Sequence, residues 1–439
     1  VSGAETVGTE TVGTAAAGED PAGAAARMAG LAAAGAGRPG RFLIVVPPLV
    51  GHINPAVGVA RALAARGHHV AWAGHPETIT GLAGPDATVV ACALPGRNGA
   101  PVQRPADLRG PAALKFLWET FLIPLAEAMI PGVSAAVEAF EPDVMLVDQQ
   151  AVAGAVVAMR AGITWATSAT TAAELANPLA AMPKVDAWVR ELLLDLEIRN
   201  GLATTADHQR YQNTYGDLRF SPQLVLAYST ATLSGDVEAL HDRLRYVGPS
   251  ITTRPTDPAF PWHRLPTDRR LIFAGVGTAN ADAGGAFLTA CAEAIGARPH
   301  LFGIIADPAE ALTTPPDNVL AIAHVPQLDV LARAAAAICH AGQNTVCEAL
   351  YHGVPLVLAP IRDDQPVVAQ QVANAGAGVR IRFARAGAAQ VGAALDQVLD
   401  EARFAAAARR VADSFRAAGG AGAAASYLES LLPAWQVVG

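Results

Sequence analysis

The chain has 439 residues, 52% hydrophobic and 16% charged, which is material for two or three well-cored domains and leaves disorder local at most. A formal net charge of -8, with no basic stripe to override it, excludes nucleic acid as the expected partner. The four cysteines, Cys92, Cys291, Cys339 and Cys347, show no CxxC spacing; with no evident run of eighteen apolar residues, they predict buried thiols, no metal, no stable membrane insertion and a cytoplasmic location.

In chain order, residues 1–40 are Ala, Gly, Thr and Glu with a literal ETVGT repeat, and they read as a disordered low-complexity tail. They lack the leucine-rich core of a signal peptide. Since the first residue is Val, a valine start codon or initiation at Met28 is expected.

Arg41 to Val46 (RFLIVV) is an uninterrupted β-forming run, followed by the loop PLVGHINP, an apolar-periodic helix to Ala65 and a strand near His69 to Ala73. This is a βαβ unit that presents His52 at the carboxyl end of its first strand. Further strands are predicted at Thr88 to Ala91, Val144 to Val147, Ile163 to Ala166 and Leu224 to Ala227. The intervening segments are long enough for helices, which implies a parallel, doubly wound sheet. Asp148 closes the strand PDVMLVD at the same edge. Two aromatic-dotted segments, Leu114 to Ile130 and Lys184 to Tyr215, contain Phe116, Trp118, Phe121, Trp188, Tyr211 and Tyr215. Core packing and the lining of an apolar acceptor pocket both account for them, and Phe116, Trp118, Phe121 and Trp188 are the pocket candidates.

Residues 41–235 therefore form a first domain, and the proline-rich stretch 236–268 reads as a linker. Residues 269–420 repeat the βαβ pattern, with strands from Leu271, at Leu301 to Ala306, at Ala334 to Cys339 and at Val354 to Ala359. Helices are predicted at Ala286 to Ile295, Gln365 to Ala375, Ala388 to Leu399 and Ala402 to Ala417. Residues 421–439 supply a last helix, from Ala423 to Leu432.

The most informative stretch, His324 to Gln365, is a strand, a turn opening a helix, and another strand. Gly342 permits close backbone approach, Asn344 and Thr345 suit a helix start, and a helix start is an anion site. His340 adds a donor, and Glu348, one turn on, is placed to accept from sugar hydroxyls. Phosphate and polyol would meet here, as they do in a nucleotide sugar.

At these residues the chain resembles the UDP-glycosyltransferase family, in its bacterial macrolide-glycosyltransferase-like branch. The match runs through Pro326-Gln327, His340, Gly342, Asn344-Thr345, Glu348, Gly353-Val354-Pro355 and Asp364-Gln365. The resemblance implies the GT-B fold, an α/β arrangement of two Rossmann-like parallel-sheet domains facing across a cleft, with the last helix crossing back to the first domain. It implies that His52 is the catalytic base and Asp148 its acidic partner, and that Gly277, Thr278, His340, Gly342, Asn344 and Thr345 meet the diphosphate. By the same resemblance His324 stands where the nucleobase is stacked, Val325 and Gln327 belong to the donor site, Glu348 holds the ribose, and Asp364 and Gln365 hold the sugar. The chain contains no Asp-x-Asp, so no metal and no cofactor is expected.

The activity so implied is inverting transfer of a hexose, from a UDP-sugar in preference to a dTDP-sugar, to a hydroxyl of a hydrophobic small molecule in bacterial natural-product biosynthesis or modification. Two alternatives are transfer to a membrane-dissolved acceptor, for which Lys115 and Arg109 beside Phe116 and Trp118 give a faint basic-apolar patch, and a non-catalytic GT-B auxiliary protein.

Overall fold

The computed structural model describes residues 38–96, 105, 108, 110–180, 182–204, 216–252, 260–277 and 284–433. Tyr211, Tyr215, Arg109, Thr278 and nearly all of the predicted tail lie outside them. The compact body begins at Arg38 rather than Arg41. Arg38 donates to Asp143 Oδ1 at 2.9 Å and the Gly40 amide to His68 Nδ1 at 2.9 Å. Gly40 lies so close to Leu432 that a Cβ there would stand 2.7 Å from Cδ2. Composition does not reveal these contacts, because they use backbone, a missing side chain and one arginine.

Among the described residues the first sheet has seven parallel strands: β1 Arg41–Val45, β2 His69–Gly74, β3 Val89–Ala91, β4 Val144–Asp148, β5 Thr164–Ala169, β6 Leu224–Ala227 and β7 Leu244–Tyr246. Their order is β3-β2-β1-β4-β5-β6-β7. The apolar runs of β1 and β4 pair in register, Phe42 with Val144 and Ile44 with Leu146. Phe42 to Val45 are all buried, as expected of parallel strands covered on both faces. The covering helices are α1 Val50–Ala65, α2 Pro76–Ala83, α3 Gly110–Lys115, α4 Ile123–Phe140, α5 Ala153–Ala161, α6 Pro183–Arg199 and the short α7 Ala231–Ser234. β7 falls inside the span read as linker, so the first domain runs past residue 235. Three residues, LRY, are too few to show strand alternation among prolines and charges.

α3 continues through a π-helical turn, Phe116–Leu122, into α4. The run Gly110–Phe140 is apolar and long enough to cross a membrane by length and composition, which corrects the sequence expectation that no such segment exists. Lys115 and Glu119 at its start obscure it by eye. Leu122, Leu125, Met129 and Val133 are buried in the core of the first domain.

The second sheet has six parallel strands among the described residues: β8 Arg270–Gly275, β9 Leu301–Ala306, β10 Val319–Ile322, β11 Ala334–Cys339, β12 Leu356–Leu358 and β13 Gly378–Arg380, in the order β10-β9-β8-β11-β12-β13. Its helices are α8 Gly285–Gly296, α9 Gln327–Leu331, α10 Gln343–Tyr351, α11 Gln365–Asn374, α12 Ala388–Asp400 and α13 Ala402–Ala417. The last helix, α14 Gly420–Glu429, packs on α1 of the first domain. There Arg66 donates to Glu429 at 2.6 Å, to Ser426 at 3.0 Å and to the Gly422 carbonyl at 2.7 Å.

The chain crosses between the domains twice at nearly the same place. The Gly420 amide donates to the Val247 carbonyl at 2.6 Å, and a Cβ on Gly248 would stand 2.7 Å from the Phe415 carbonyl. Gly248, Gly419 and Gly420 have φ of +71, +85 and +58, values that glycine adopts without strain.

Candidate active site

In each sheet the strand order reverses once, between β1 and β4 and between β8 and β11. A crevice opens at such a switch point beyond the carboxyl ends of the strands. His52 follows β1, and Asp148 ends β4. Gly277 follows β8, and His340 follows β11. Both halves of the candidate site therefore have the same topological origin.

In the first half, His52 Nδ1 lies 2.9 Å from Asp148 Oδ1 and 2.8 Å from Thr170 Oγ1, while the Thr170 hydroxyl donates to Asp148 Oδ2 at 2.6 Å. A hydroxyl has one proton, and Thr170 gives it to Asp148, so toward His52 it accepts. The Nδ1 proton is then shared between Asp148 and Thr170, and Nε2 keeps its lone pair. Asp148, fully buried, also accepts from the Gln150 amide at 2.9 Å. Burial alone would lower the imidazole pKa, but the charge and hydrogen bond of Asp148 outweigh it. With added pull from Asp364 and Glu174, the pKa is raised above 6.5.

Thr170 and Glu174 are site residues that the sequence reading missed. Both follow β5, and no local motif marks them; only their place at the carboxyl edge of the strand beside β4 signals them. Burial raises the Glu174 carboxyl against the opposing charge of Arg219, which donates to it at 3.3 Å. Arg219 is itself buried and grips Asp217 with three side-chain bonds, at 3.0, 3.2 and 2.7 Å.

In the second half, the β11–α10 turn carries His340, Ala341 and Gly342. The His340 ring fills the space that two glycine side chains would take. A Cβ on Gly342 would stand 2.4 Å from Nε2, and one on Gly277 2.7 Å from Cε1. Burial pushes the His340 imidazole down to about 4, partly offset by the Gly275 backbone and reinforced by the charge of buried Arg362. The ring is therefore neutral at physiological pH. α10 has no acidic residue in its first turn, and its N-terminal N–H groups suit an anion. Ala341 and Asp363 adopt φ of +65 and +57, so backbone strain sits at both turns of this half-site.

Several expected donor residues have local partners. Gln327 donates to Glu348 Oε2 at 2.5 Å and to Thr345 Oγ1 at 3.5 Å, so it orients the buried Glu348. Gln365 accepts at Oε1 from the Ile361 and Arg362 amides at 2.9 and 3.1 Å, which leaves only its N–H groups for a sugar. Asp364 precedes α11 without a side-chain capping bond, and burial together with neighbouring Asp363 pushes its carboxyl up to about 6; His52 draws it back down. The two halves are thus electrostatically in touch. His324 is exposed on the β10–α9 loop, and Val325 packs on the core of the second domain.

Among the acceptor candidates, Trp118 is a correction. It is buried in the first core beneath Arg219, whose guanidinium lies 5.7 Å from the ring centre. Helical spacing does not distinguish core from pocket. Phe121 and Trp188 pack against that core half-buried, and Phe116 is half-buried on the π-helical turn. The charge of Lys115, part of the faint basic patch, is offset by Glu119 at 3.6 Å.

The two half-sites meet directly. Asn344 Nδ2 donates to the Gly51 carbonyl at 3.0 Å, and Cys347 Sγ lies 3.7 Å from the Tyr228 carbonyl. A narrow cavity there is lined by Asn54, Pro55 and Thr170 on one side and Gln343, Asn344 and Glu348 on the other.

Residues 302–429 match the family model for the C-terminal domain of erythromycin biosynthesis protein CIII-like proteins. A PGL/p-HBAD biosynthesis glycosyltransferase of Mycobacterium tuberculosis is 34% identical over 171 residues, 39% of each chain. This chain thus matches about two fifths of that relative's length. The 4'-demethylrebeccamycin synthase of Lentzea aerocolonigenes is 27% identical over 431 residues, 89% of this chain and 99% of that one. The solved structure of spinosyn rhamnosyltransferase SpnG complexed with thymidine diphosphate superposes with a TM-score of 0.68 at 25% identity, covering 89% of this chain and 100% of that one. The two-sheet architecture is the GT-B fold.

Proposed function

We propose that this chain, which has the GT-B fold and matches the EryCIII-like model over residues 302–429, moves a hexose from a nucleotide diphosphate to a hydroxyl of a hydrophobic small molecule, a bacterial natural product. The observation that carries this reading is a polarised imidazole at one switch point facing an anion-binding turn at the other.

The acceptor hydroxyl gives its proton to His52 Nε2 as its oxygen attacks the anomeric carbon. The bond to the nucleotide diphosphate breaks on the opposite face, inverting the configuration. Asp148 holds Nδ1 and stabilises the imidazolium, as in other His-carboxylate pairs. The N-terminus of α10 and neutral His340 receive the diphosphate charge, work that a divalent ion does elsewhere. Glu348, steadied by Gln327, takes the ribose, and Asp364 with the Gln365 amide takes sugar hydroxyls. Thymidine diphosphate in SpnG supports dTDP-sugars beside UDP-sugars as donors.

An apolar acceptor is supported by Val50 and Met182, 44% and 45% exposed, the large hydrophobic side chains in the open among the described residues. Val50 opens α1 two residues before His52, at the carboxyl end of β1, and Met182 immediately precedes α6. Four free, buried cysteines support a cytoplasmic setting.

The test is intact-mass screening of UDP- and dTDP-sugars against hydroxylated aromatic and macrocyclic acceptors, with and without EDTA. A hexose mass increment that survives chelation is expected. His52→Ala should lower turnover by about two to four powers of ten with nucleotide affinity nearly unchanged. Normal turnover in that variant, or abolition by EDTA with rescue by magnesium, overturns the mechanism.

A further inference from the structure

Pro55 lies inside α1, not at its first position. A residue there would ordinarily donate its N–H to the carbonyl four residues back, that of Gly51, and proline has no N–H to give. The Gly51 carbonyl therefore lacks the donor that the residue four along an ordinary helix would supply. It is the same carbonyl that accepts from Asn344 Nδ2 of the opposite domain at 3.0 Å. Next along the chain is His52, whose amide donates to the Leu49 carbonyl at 3.0 Å.

We infer that Pro55 frees the Gly51 carbonyl for Asn344, so that the donor-side turn holds the catalytic loop through one hydrogen bond and sets the approach of His52 to the sugar. Pro55 and Asn344 are positioning residues in this scheme: the Asn344 side chain, expected from the sequence to meet the diphosphate, is instead bonded to the Gly51 carbonyl. This rests on the glycosyl-transfer reading for its purpose, but not for its existence.

Three features converge on it. Asn344 is the second residue of α10, the helix proposed to take the diphosphate, so a ligand that orders this turn also orders the docked amide. The contact does not depend on the absence of a side chain at residue 51, because a Cβ there would stand an ordinary 3.5 Å from Asn344 Nδ2. Pro55 and Asn344 also line the same narrow cavity, so the proline ring and the amide are held on facing walls. An alanine at 55 would restore the helical donor, and the Gly51 carbonyl would then be satisfied from within.

The test is a double-mutant cycle of Pro55→Ala and Asn344→Ala, read first by hydrogen exchange of the peptide covering residues 49–56 in the ligand-free protein. Asn344→Ala alone should speed exchange of this peptide by about three- to tenfold, the effect of one lost hydrogen bond. Pro55→Ala should remove the dependence, so that adding Asn344→Ala changes nothing further. Additive effects, or an Asn344→Ala peptide that exchanges like wild type, overturn the inference.

The second readout is kcat for sugar transfer. It should fall about three- to tenfold in Asn344→Ala, with KM for the acceptor unchanged. A wild-type protein that transfers no sugar defeats the glycosyltransferase reading, while the exchange cycle still decides whether the contact exists as described.

Discussion

Gly342→Ala examines the second half-site most directly, because the perturbation is a single methyl group with a known target. Its Cβ would stand 2.4 Å from His340 Nε2 and 2.8 Å from Cε1. Non-bonded contacts settle near 3.5 Å, so the imidazole must retreat by about 1 Å. It has nowhere to go, since its other face already fills the space beside Gly277. Overpacking of this kind costs about 1–3 kcal/mol, which for a domain of this size is a melting temperature lower by roughly 3–10 °C. Losing a donor to the diphosphate should weaken UDP or dTDP binding about ten- to hundredfold. Scanning calorimetry and titration calorimetry measure the two effects. Gly81→Ala is the control: it lies within α2 with open space around its Cβ, and should stabilise by about 0.5–1 kcal/mol. A Gly342→Ala protein that melts and binds nucleotide like wild type would refute both the wedge and the role of His340.

The raised His52 pKa should appear as an acidic limb of kcat/KM above pH 6.5, because the base form is the active one. The sign for stability is opposite: the His52–Asp148 pair contributes fully below 6.5, and its contribution is lost as pH rises through the folded value. Thr170→Val should cost about tenfold in kcat and move that limb upward, since Asp148 Oδ2 loses its donor and its charge bears harder on the imidazolium; Thr170→Ser should restore the profile, and a valine variant indistinguishable from wild type would remove Thr170 from the site. Asp364→Ala should move the limb downward and flatten the preference for fully hydroxylated UDP-hexoses over dTDP-dideoxyhexoses, measured as kcat/KM for each donor. An unchanged ranking there would release Asp364 from the sugar.

The frame was legible wherever chemistry was dense along the chain. RFLIV reads as a strand buried on both faces, and β1 is one; the PLVGHINP loop and the end of PDVMLVD put His52 and Asp148 at the same edge, where they meet at 2.9 Å. β7 and β13 were not legible, because LRY and GVR are three residues each with an arginine among them, unlike the short but wholly apolar β3, β6 and β12; β10, VLAI, is apolar but was not read as a strand. Thr170 and Glu174 escaped because their relation to His52 is created by strand order, not spacing. Gln327 and Gln365 looked like ligand contacts, yet much of their bonding is spent on Glu348 and on their own turn. Motif position reports that a residue matters without saying which neighbour it serves. Trp118 shows the converse limit: an aromatic on an apolar helix has the same signature whether it fills a core or faces a ligand.

The paired crossings at Val247–Gly248 and Phe415–Gly420 govern how this molecule can open. The two chain segments lie side by side, tied by the Gly420–Val247 hydrogen bond, so a hinge motion between the lobes is expected to turn about this one place. Three glycines with positive φ stand at those crossings, where backbone torsion can change without side-chain cost. α14, fastened to α1 through Arg66 and Glu429, travels with the lobe that carries His52, although its sequence follows directly from the other. A sensor pair that reports opening should thus place one label on α14 and the other on α11, because labels on α14 and α1 would move together and record nothing.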